Sequence, residues 1–384
     1  MKNTIAIAAL IGGLTLAATS ARAFDSGSDG SYGPLNITND TLLPMPPNGI
    51  FNCTTITVAS NATLTFLPNS LNTPVYLLAQ GDIVVGGTID VSGQNGQLNG
   101  AYSAGGPGGF AGGSAPLAGQ PAGAGRGPGG GVVGAGYIDS GGGGSFANYG
   151  NLLLVPLLGG SGGAGYVYNS APAASGGGGG GAILLASSSA ARLAGAIRSR
   201  GGNGYLCGNG LTSGPGSGGG IRVVAPVVSG NGILDVSTVT SPYAGTSPGR
   251  IRVDCPPQSI SLSMVGGISS VGRSMFVFPP NNPRLYFVDA AGQAIDPAIL
   301  SAVNVLLPTS TNLVQNFSLR GENFLGDVPV TVVAAPDNGT PFTNSIVMRF
   351  PTNTLATVTV TVPLTLAPNQ NNHINAYARY GVQP

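Results

Sequence analysis

Two short motifs return along this chain with long glycine-rich spacers between the returns, and they restrict the available folds more than any other feature. The first motif reads Gly81-Asp82-Ile83-Val84-Val85, then Gly181-Ala182-Ile183-Leu184-Leu185, then Gly219-Gly220-Ile221-Arg222-Val223. Each copy is followed by a second motif: Gly87-Thr88-Ile89-Asp90-Val91, Gly195-Ala196-Ile197-Arg198-Ser199 and Gly232-Ile233-Leu234-Asp235-Val236. A fourth copy of the first motif, Gly249-Arg250-Ile251-Arg252-Val253, lacks a clear second half. After each glycine, apolar groups fall at alternate positions, the spacing of a strand that turns one face inward. Ile83, Ile183 and Ile221 are therefore expected on equivalent rungs.

A strand of three residues cannot bury its inner face alone, so such units must stack on copies of themselves to build a continuous core. The expectation is an all-β chain whose residues 24–264 form a glycine-rich parallel β-helix, or β-solenoid, with glycine at the corners and a long glycine-rich insertion over 93–180. Two readings of that insertion stand: flexible lobes thrown out from a corner, or extended polyproline-II-like segments packed side by side with tyrosines as spacers. The apolar run Leu152–Leu158 needs a place to be buried, which favours packing. Phosphate-cradling glycine loops are disfavoured, because they need a following helix and a lysine or acidic partner. Pro44, Pro46 and Pro47 suit a cap that blunts the open end of a stack.

Residues 1–23 read as a signal peptide: Lys2, an apolar run Ile5–Ala18, and Ala21-Arg22-Ala23 for cleavage before Phe24. The apolar run is too short to span a bilayer, and no later segment is long enough, so no transmembrane segment is expected after cleavage. Without residues 1–23 the chain has no lysine, and 12 arginines face 13 acids. A nearly neutral surface of this kind does not attract nucleic acid, and it offers little repulsion against self-association. The expected location is secreted or at the cell surface.

Little chemistry is on offer. The 384 residues are 7% charged and contain one histidine, His373, set in an alternating strand with no serine or cysteine motif around it. No metal-ligand spacing and no cofactor motif is present; Asp25 and Asp29 resemble only a fragment of a calcium loop. Asp90, Arg198 and Asp235 occupy the same place in the three second motifs, so they are expected as an outward ladder of alternating charge about 4.8 Å apart. Cys207 and Cys255 each follow an aligned motif and could pair as a disulfide; the alternative is that Cys53, Cys207 and Cys255 are simply small buried residues.

Residues 265–283 read as an end cap and linker. From 284 to 384 come seven alternating segments, Leu285–Val288, Val303–Leu306, Leu313–Leu319, Val328–Val333, Ser345–Phe350, Ala356–Val362 and His373–Tyr380, a count that fits an immunoglobulin-like β-sandwich. The Gly-x-Ile-x-Val units, Val58-Ala59-Ser60-Asn61-Ala62-Thr63-Leu64 and the glycine spacers resemble the coils of bacterial surface β-solenoids of the adhesin and autotransporter-passenger type. That resemblance implies an exported, non-enzymatic structural or adhesive protein whose partners are its own copies or a surface polysaccharide. Two other classes stay open. A carbohydrate-binding module would use Tyr166 and Tyr168 as sugar platforms, and a polysaccharide lyase or hydrolase would need carboxylates converging from Asp90, Asp235 and Asp254.

Overall fold

A computed structural model describes residues 24–116, 121–133, 144, 152–167, 173–206, 212–238, 246–278, 283–299, 303–308 and 312–379. The described residues are all-β, with no helix among them. The expected leader at 1–23, Tyr168, and Cys207 of the expected Cys207–Cys255 bridge lie outside the described residues.

The chain opens with β1 (Gly33–Ile37), β2 (Thr41–Pro44), the long β3 (Ile50–Val58) and β4 (Thr63–Leu67). Three trios follow: β5 (Val75–Ala79), β6 (Ile83–Val85) and β7 (Thr88–Asp90); β8 (Ala182–Ser187), β9 (Ala190–Leu193) and β10 (Ala196–Arg198); β11 (Gly220–Val224), β12 (Val227–Ser229) and β13 (Ile233–Asp235). The series closes with β14 (Gly249–Asp254), β15 (Ser263–Val265) and β16 (Gly267–Gly272). These strands make two wholly parallel sheets, one of ten strands and one of six. Within them run three ladders. Phe51, Leu77, Leu185, Val223, Val253 and Val271 succeed one another on the first. Ile56, Ile83, Ala191 and Val228 do so on the second, and Leu64, Ile89, Ile197, Leu234 and Met264 on the third. One core joins all three. A fully buried aliphatic side chain contributes about 1.5–3 kcal/mol, so each rung depends on the rungs above and below to keep its inner face dry.

The register corrects the sequence alignment in one place. Ile221 pairs with Ile183 and Ile251 as expected. Ile83 does not share their ladder: Ile183 is matched by Val75, and Ile83 lies on the second ladder between Ile56 and Ala191. All of these isoleucines are dry, but Gly81 imitates the corner glycine Gly181, whereas the true counterpart of β8 is β5, which starts after Pro74. The fourth copy does have a partner on the third ladder, Ser263-Met264-Val265, and β15 and β16 are the last rung rather than a cap beginning at Val265.

The glycine-rich segments are ordered against one another. Along 174–182, backbone N–H groups of Ser175, Gly178 and Gly181 donate to the carbonyls of Gln97, Gln94 and Val91; those of Gly176, Gly179 and Ala182 donate to Gly113, Phe110 and Pro107; those of Gly177 and Gly180 donate to Gly214 and Ser217. In return the carbonyls of Ala174, Gly177 and Gly180 accept from Tyr166, Gly163 and Gly160, and that of Gly178 accepts from Gly202. Every third residue meets the same neighbour. Three residues per turn is the period of polyproline II, which makes no internal hydrogen bonds and therefore has every amide free for neighbours. Residues 174–182 are thus the axis of a bundle with six surrounding segments, the sixth being 103–106, whose Gly106 amide donates to the Gly179 carbonyl. Spacing is set by backbone contact, and a Cβ on Gly178 would fall inside the envelope of the Ala104 carbonyl oxygen. This is the packed arrangement the Leu152–Leu158 run required: Leu154 and Leu157 are buried over the outer face of β8 and β11, against Leu78, Leu184 and Val224.

After the last rung, residues 273–278 run back over the outer face of the ten-stranded sheet and are fastened by charge. Asp254 accepts from the Arg252 guanidinium at 2.6 Å, from Arg222 at 3.2 Å and from the Ser274 amide at 2.9 Å. Arg222 is fully buried, donates onward to the carbonyls of Ser274 and Phe276, and lies over the Phe276 ring. Tyr76 packs beside it; burial pushes this phenol up to about 12, against the pull of Arg222.

The C-terminal part is antiparallel: β17 (Arg284–Ala290), β18 (Gln293–Ala294), β19 (Val314–Phe324), β20 (Asp327–Pro336), β21 (Phe342–Arg349), β22 (Ala356–Thr365) and β23 (Asn372–Ala378). One sheet has the order β18-β17-β19-β22 and the other β21-β20-β23. Both contribute to one core, which includes Phe317, Leu319, Val330, Val332, Met348 and Val362. Val303–Leu306, expected as a strand, forms none, and Leu306 is exposed.

Gly178→Ala is expected to cost about 1–3 kcal/mol or more in a denaturant titration, because overpacking a backbone contact has no flexible atom to yield. Gly86→Ala, whose Cβ would find ordinary contacts starting at 3.4 Å, is the control and should be close to neutral. Asp254→Ala leaves two arginines uncompensated and is expected to cost about 3–5 kcal/mol on the same assay.

Candidate functional site

Asp90, Arg198 and Asp235 do stand side by side in register on the third ladder. The ion pair, however, is made by a different arginine. Asp235 is 3% exposed, and its carboxylate accepts from Arg200 Nε at 2.6 Å. The reason lies at the corner. Asp235 Oδ1 caps the Ser237 amide two residues on, as Asp90 Oδ1 caps that of Ser92, and this Asx turn swings the carboxylate off the strand axis towards Arg200. Burial opposes the charge on Asp235, but the Arg200 and Ser237 donors outweigh it and hold the carboxyl below its usual range. The expected outward charge ladder is therefore a corner fastening. Asp254 belongs to another ladder and is taken up by Arg222 and Arg252, so the three carboxylates do not converge.

Cys255 and Cys53 are buried free thiols in the main core; desolvation pushes Cys53 up to about 11. Asp25 and Asp29 cap the amides of Gly27 and Ser31. No cluster of metal-ligating side chains occurs among the described residues. Tyr166 is 2% exposed and packs on Ala174 and Tyr205 inside the glycine bundle, so it is a spacer and not a sugar platform.

The concentration of polar groups lies elsewhere, at the seam between the glycine bundle and the three-stranded C-terminal sheet. Asp337, just past β20, is its hub. Its Oδ1 faces Arg126 Nη2 at 3.3 Å and His373 Nε2 at 3.1 Å, its Oδ2 accepts from Asn371 at 2.8 Å, and its carbonyl accepts from the Ser114 hydroxyl. Arg126 also lies over the Tyr102 ring. Gly123 forms a parallel bridge with Gly339, and Phe110 meets Tyr377 edge-on at 6.0 Å. The sheet dictates which side chains take part. β20 turns Val328, Val330, Val332 and Ala334 into the core, which leaves Thr331 and Val333 on the opposite face with Asn375 and Tyr377 beside them in register.

Next to the hub is a cleft of about 230 Å³ between the segment 124–132 and this face. Arg126, Thr331, Thr343, Asn375, Tyr377 and Arg379 line it, along with backbone of the glycine segment. Hydroxyls, an amide, guanidinium groups and one aromatic ring suit a ligand rich in hydroxyl groups. Sequence reasoning missed this site because its two walls lie far apart in the chain. The available signal was the alternation of polar and aromatic side chains at His373, Asn375, Tyr377 and Arg379 on one face of the last strand.

His373 carries the seam's titration. Burial lowers its pKa, the nearby Arg126 charge lowers it further, and the Asp337 contact only partly opposes them. The lowered pKa favours the uncharged imidazole, and the contact with the Asp337 carboxylate suits the tautomer that carries its proton on Nε2. Neither a family model nor a curated protein nor a solved structure matches this chain.

A histidine whose folded pKa lies below its unfolded value of about 6.5 contributes stability that is present above that value and lost as pH falls through the folded one. The melting midpoint is therefore expected to drop as pH falls below about 6.5, and His373→Gln should flatten that first drop while leaving the more acidic limb on which Asp235 loses its charge.

Proposed function

We propose that the protein is an exported, non-catalytic structural or adhesive component of a cell surface or extracellular matrix. In this reading the parallel ladders are a β-solenoid, the glycine bundle is its rigid flank, and the antiparallel part is an immunoglobulin-like sandwich held at the seam. The supporting observation is where the scarce charge is spent. Asp235 on Arg200, Asp254 on Arg222 and Arg252, and Asp337 on Arg126 each tie one element to another. A hydrolase or lyase would need such carboxylates free and convergent in one groove. No helix of the described residues is long and apolar enough to cross a membrane, in keeping with this reading. Fractionation of the source cells tests it: the chain is expected in the surface or extracellular fraction, starting at Phe24, and a cytoplasmic chain retaining residues 1–23 would overturn it.

The seam cleft favours a second reading, carbohydrate binding, which is compatible with adhesion. A polysaccharide pull-down with the purified chain should retain it, and Thr343→Ala combined with Arg379→Ala should weaken retention about tenfold, equivalent to about 1.4 kcal/mol. Retention unchanged by the double substitution would remove the cleft from consideration.

A further inference from the structure

The two parallel sheets end differently. At the N-terminal end β1 contains Pro34 and β2 ends in Pro44, with Pro46 and Pro47 following. Proline has no N–H to offer an incoming strand, so this end is blunted. The other end is Ser263-Met264-Val265-Gly266-Gly267-Ile268-Ser269-Ser270-Val271-Gly272, a stretch with no proline and no charge. β16 pairs along its whole length with β14 and is the terminal strand of the ten-stranded sheet. It has none of the usual protections of an edge: it is not short, not bulged in its pairing with β14, and carries no lysine.

The core itself is also open there. Val253 is 0% exposed, whereas Val271, its successor on the core side of the ladder, is 55% exposed; on the opposite face Ile268, in register with Arg250, is 51% exposed. From these features we infer that β16 is a self-association edge, and that two copies of this chain pair through it as an antiparallel, two-fold symmetric dimer.

Three arguments select a second copy in that orientation. The edge is uncharged and made of Ile, Val, Ser and Gly, so it is complementary to itself. Head-to-tail growth would require the opposite end of the same ladder, the first half of β3, where the Tyr32 amide already binds the Asn52 carbonyl and Gly33 pairs with Cys53, while the Val228 amide of the other terminal strand, β12, is taken by Gln258, so association closes at two. A two-fold axis perpendicular to the sheet brings like-facing residues opposite each other. Centred on Ser270, it sets Val271 against Ser269 of the second copy on the core side, and Arg273 against Gly267. The two exposed arginines then lie at opposite ends of the ribbon, whereas parallel pairing would stack them on each other.

This inference rests on the scaffold reading only in taking β16 as the last rung; the saccharide cleft is on a different surface. Sedimentation velocity of the purified full chain, at concentrations up to about 100 µM, tests it. The expected result is a species of twice the chain mass and nothing larger. Ile268→Lys and Val271→Lys, two substitutions at exposed positions, should each weaken the pairing at least about tenfold by placing charge on the edge, while Leu42→Lys at the opposite end leaves it intact. A chain that stays monomeric throughout, one that grows without limit, or a dimer that survives both edge lysines would each overturn the proposal. Polysaccharide retention measured on the same lysine variants separates failure of the edge from failure of the ligand reading.

Discussion

The constraint on which the rest of this structure depends is that every buried backbone amide needs a partner, and here that partner is mostly the backbone of a neighbouring segment. It is met in two ways that adjoin each other. In the parallel sheets, residues alternate and the amides of one rung bind the next. In the glycine bundle, residues repeat by threes and each extended segment spreads its amides over several neighbours. Gly181 and Gly219 are where one solution hands over to the other: Gly181 donates to Val91 in the bundle and immediately leads into β8, and Gly219 stands in the same relation to β11. Glycine is required in the bundle for closeness of approach, since its segments touch backbone to backbone.

Given so few charges, their placement is informative. Exposed pairs such as Arg192 with Asp82 add little. The buried or half-buried ones all sit at seams: the corner at Asp235, the returning strap at Asp254, the join between bundle and C-terminal sheet at Asp337. Hydrophobic contact fills space without choosing orientation, whereas a carboxylate with two or three fixed donors accepts one arrangement. The ladders supply cohesion, and the ion clusters decide how the parts sit on it.

The sequence displayed the ladders better than their assignment. The second motif was legible in full, since Ile89, Ile197 and Leu234 are each followed by a polar residue at the same corner. The first was misread at Ile83 because two of the three strands in a trio share the same alternation, and a leading glycine does not tell them apart. The charge ladder failed for a local reason: an aspartate at a corner can cap an amide two residues ahead, and that capability is invisible to an alignment of rungs. Ordered glycine packing was legible only indirectly, through the need to bury Leu154 and Leu157, because a three-residue period carried by glycine leaves no side-chain trace. The seam cleft combines both difficulties, with one wall of glycine backbone and the other of residues whose neighbours are set by strand pairing.

A stack of parallel strands has a difficulty that a closed domain lacks, namely that the interactions holding each strand to the next are unsatisfied at both ends. Here the ends are treated unequally. Prolines in β1 and β2 remove donors at one end, while β16 leaves an uncharged strand and a wet Val271 at the other. Were both ends open, the same backbone pairing that joins β14 to β16 would join one molecule to the next indefinitely. In the proposed dimer, the cover of Tyr32 and Gly33 over the far end of that ladder turns the tendency into a finite one, because β16 then pairs with another β16. The physics that stacks the rungs thus also determines the stoichiometry, and the chain needs no dedicated interface to achieve it.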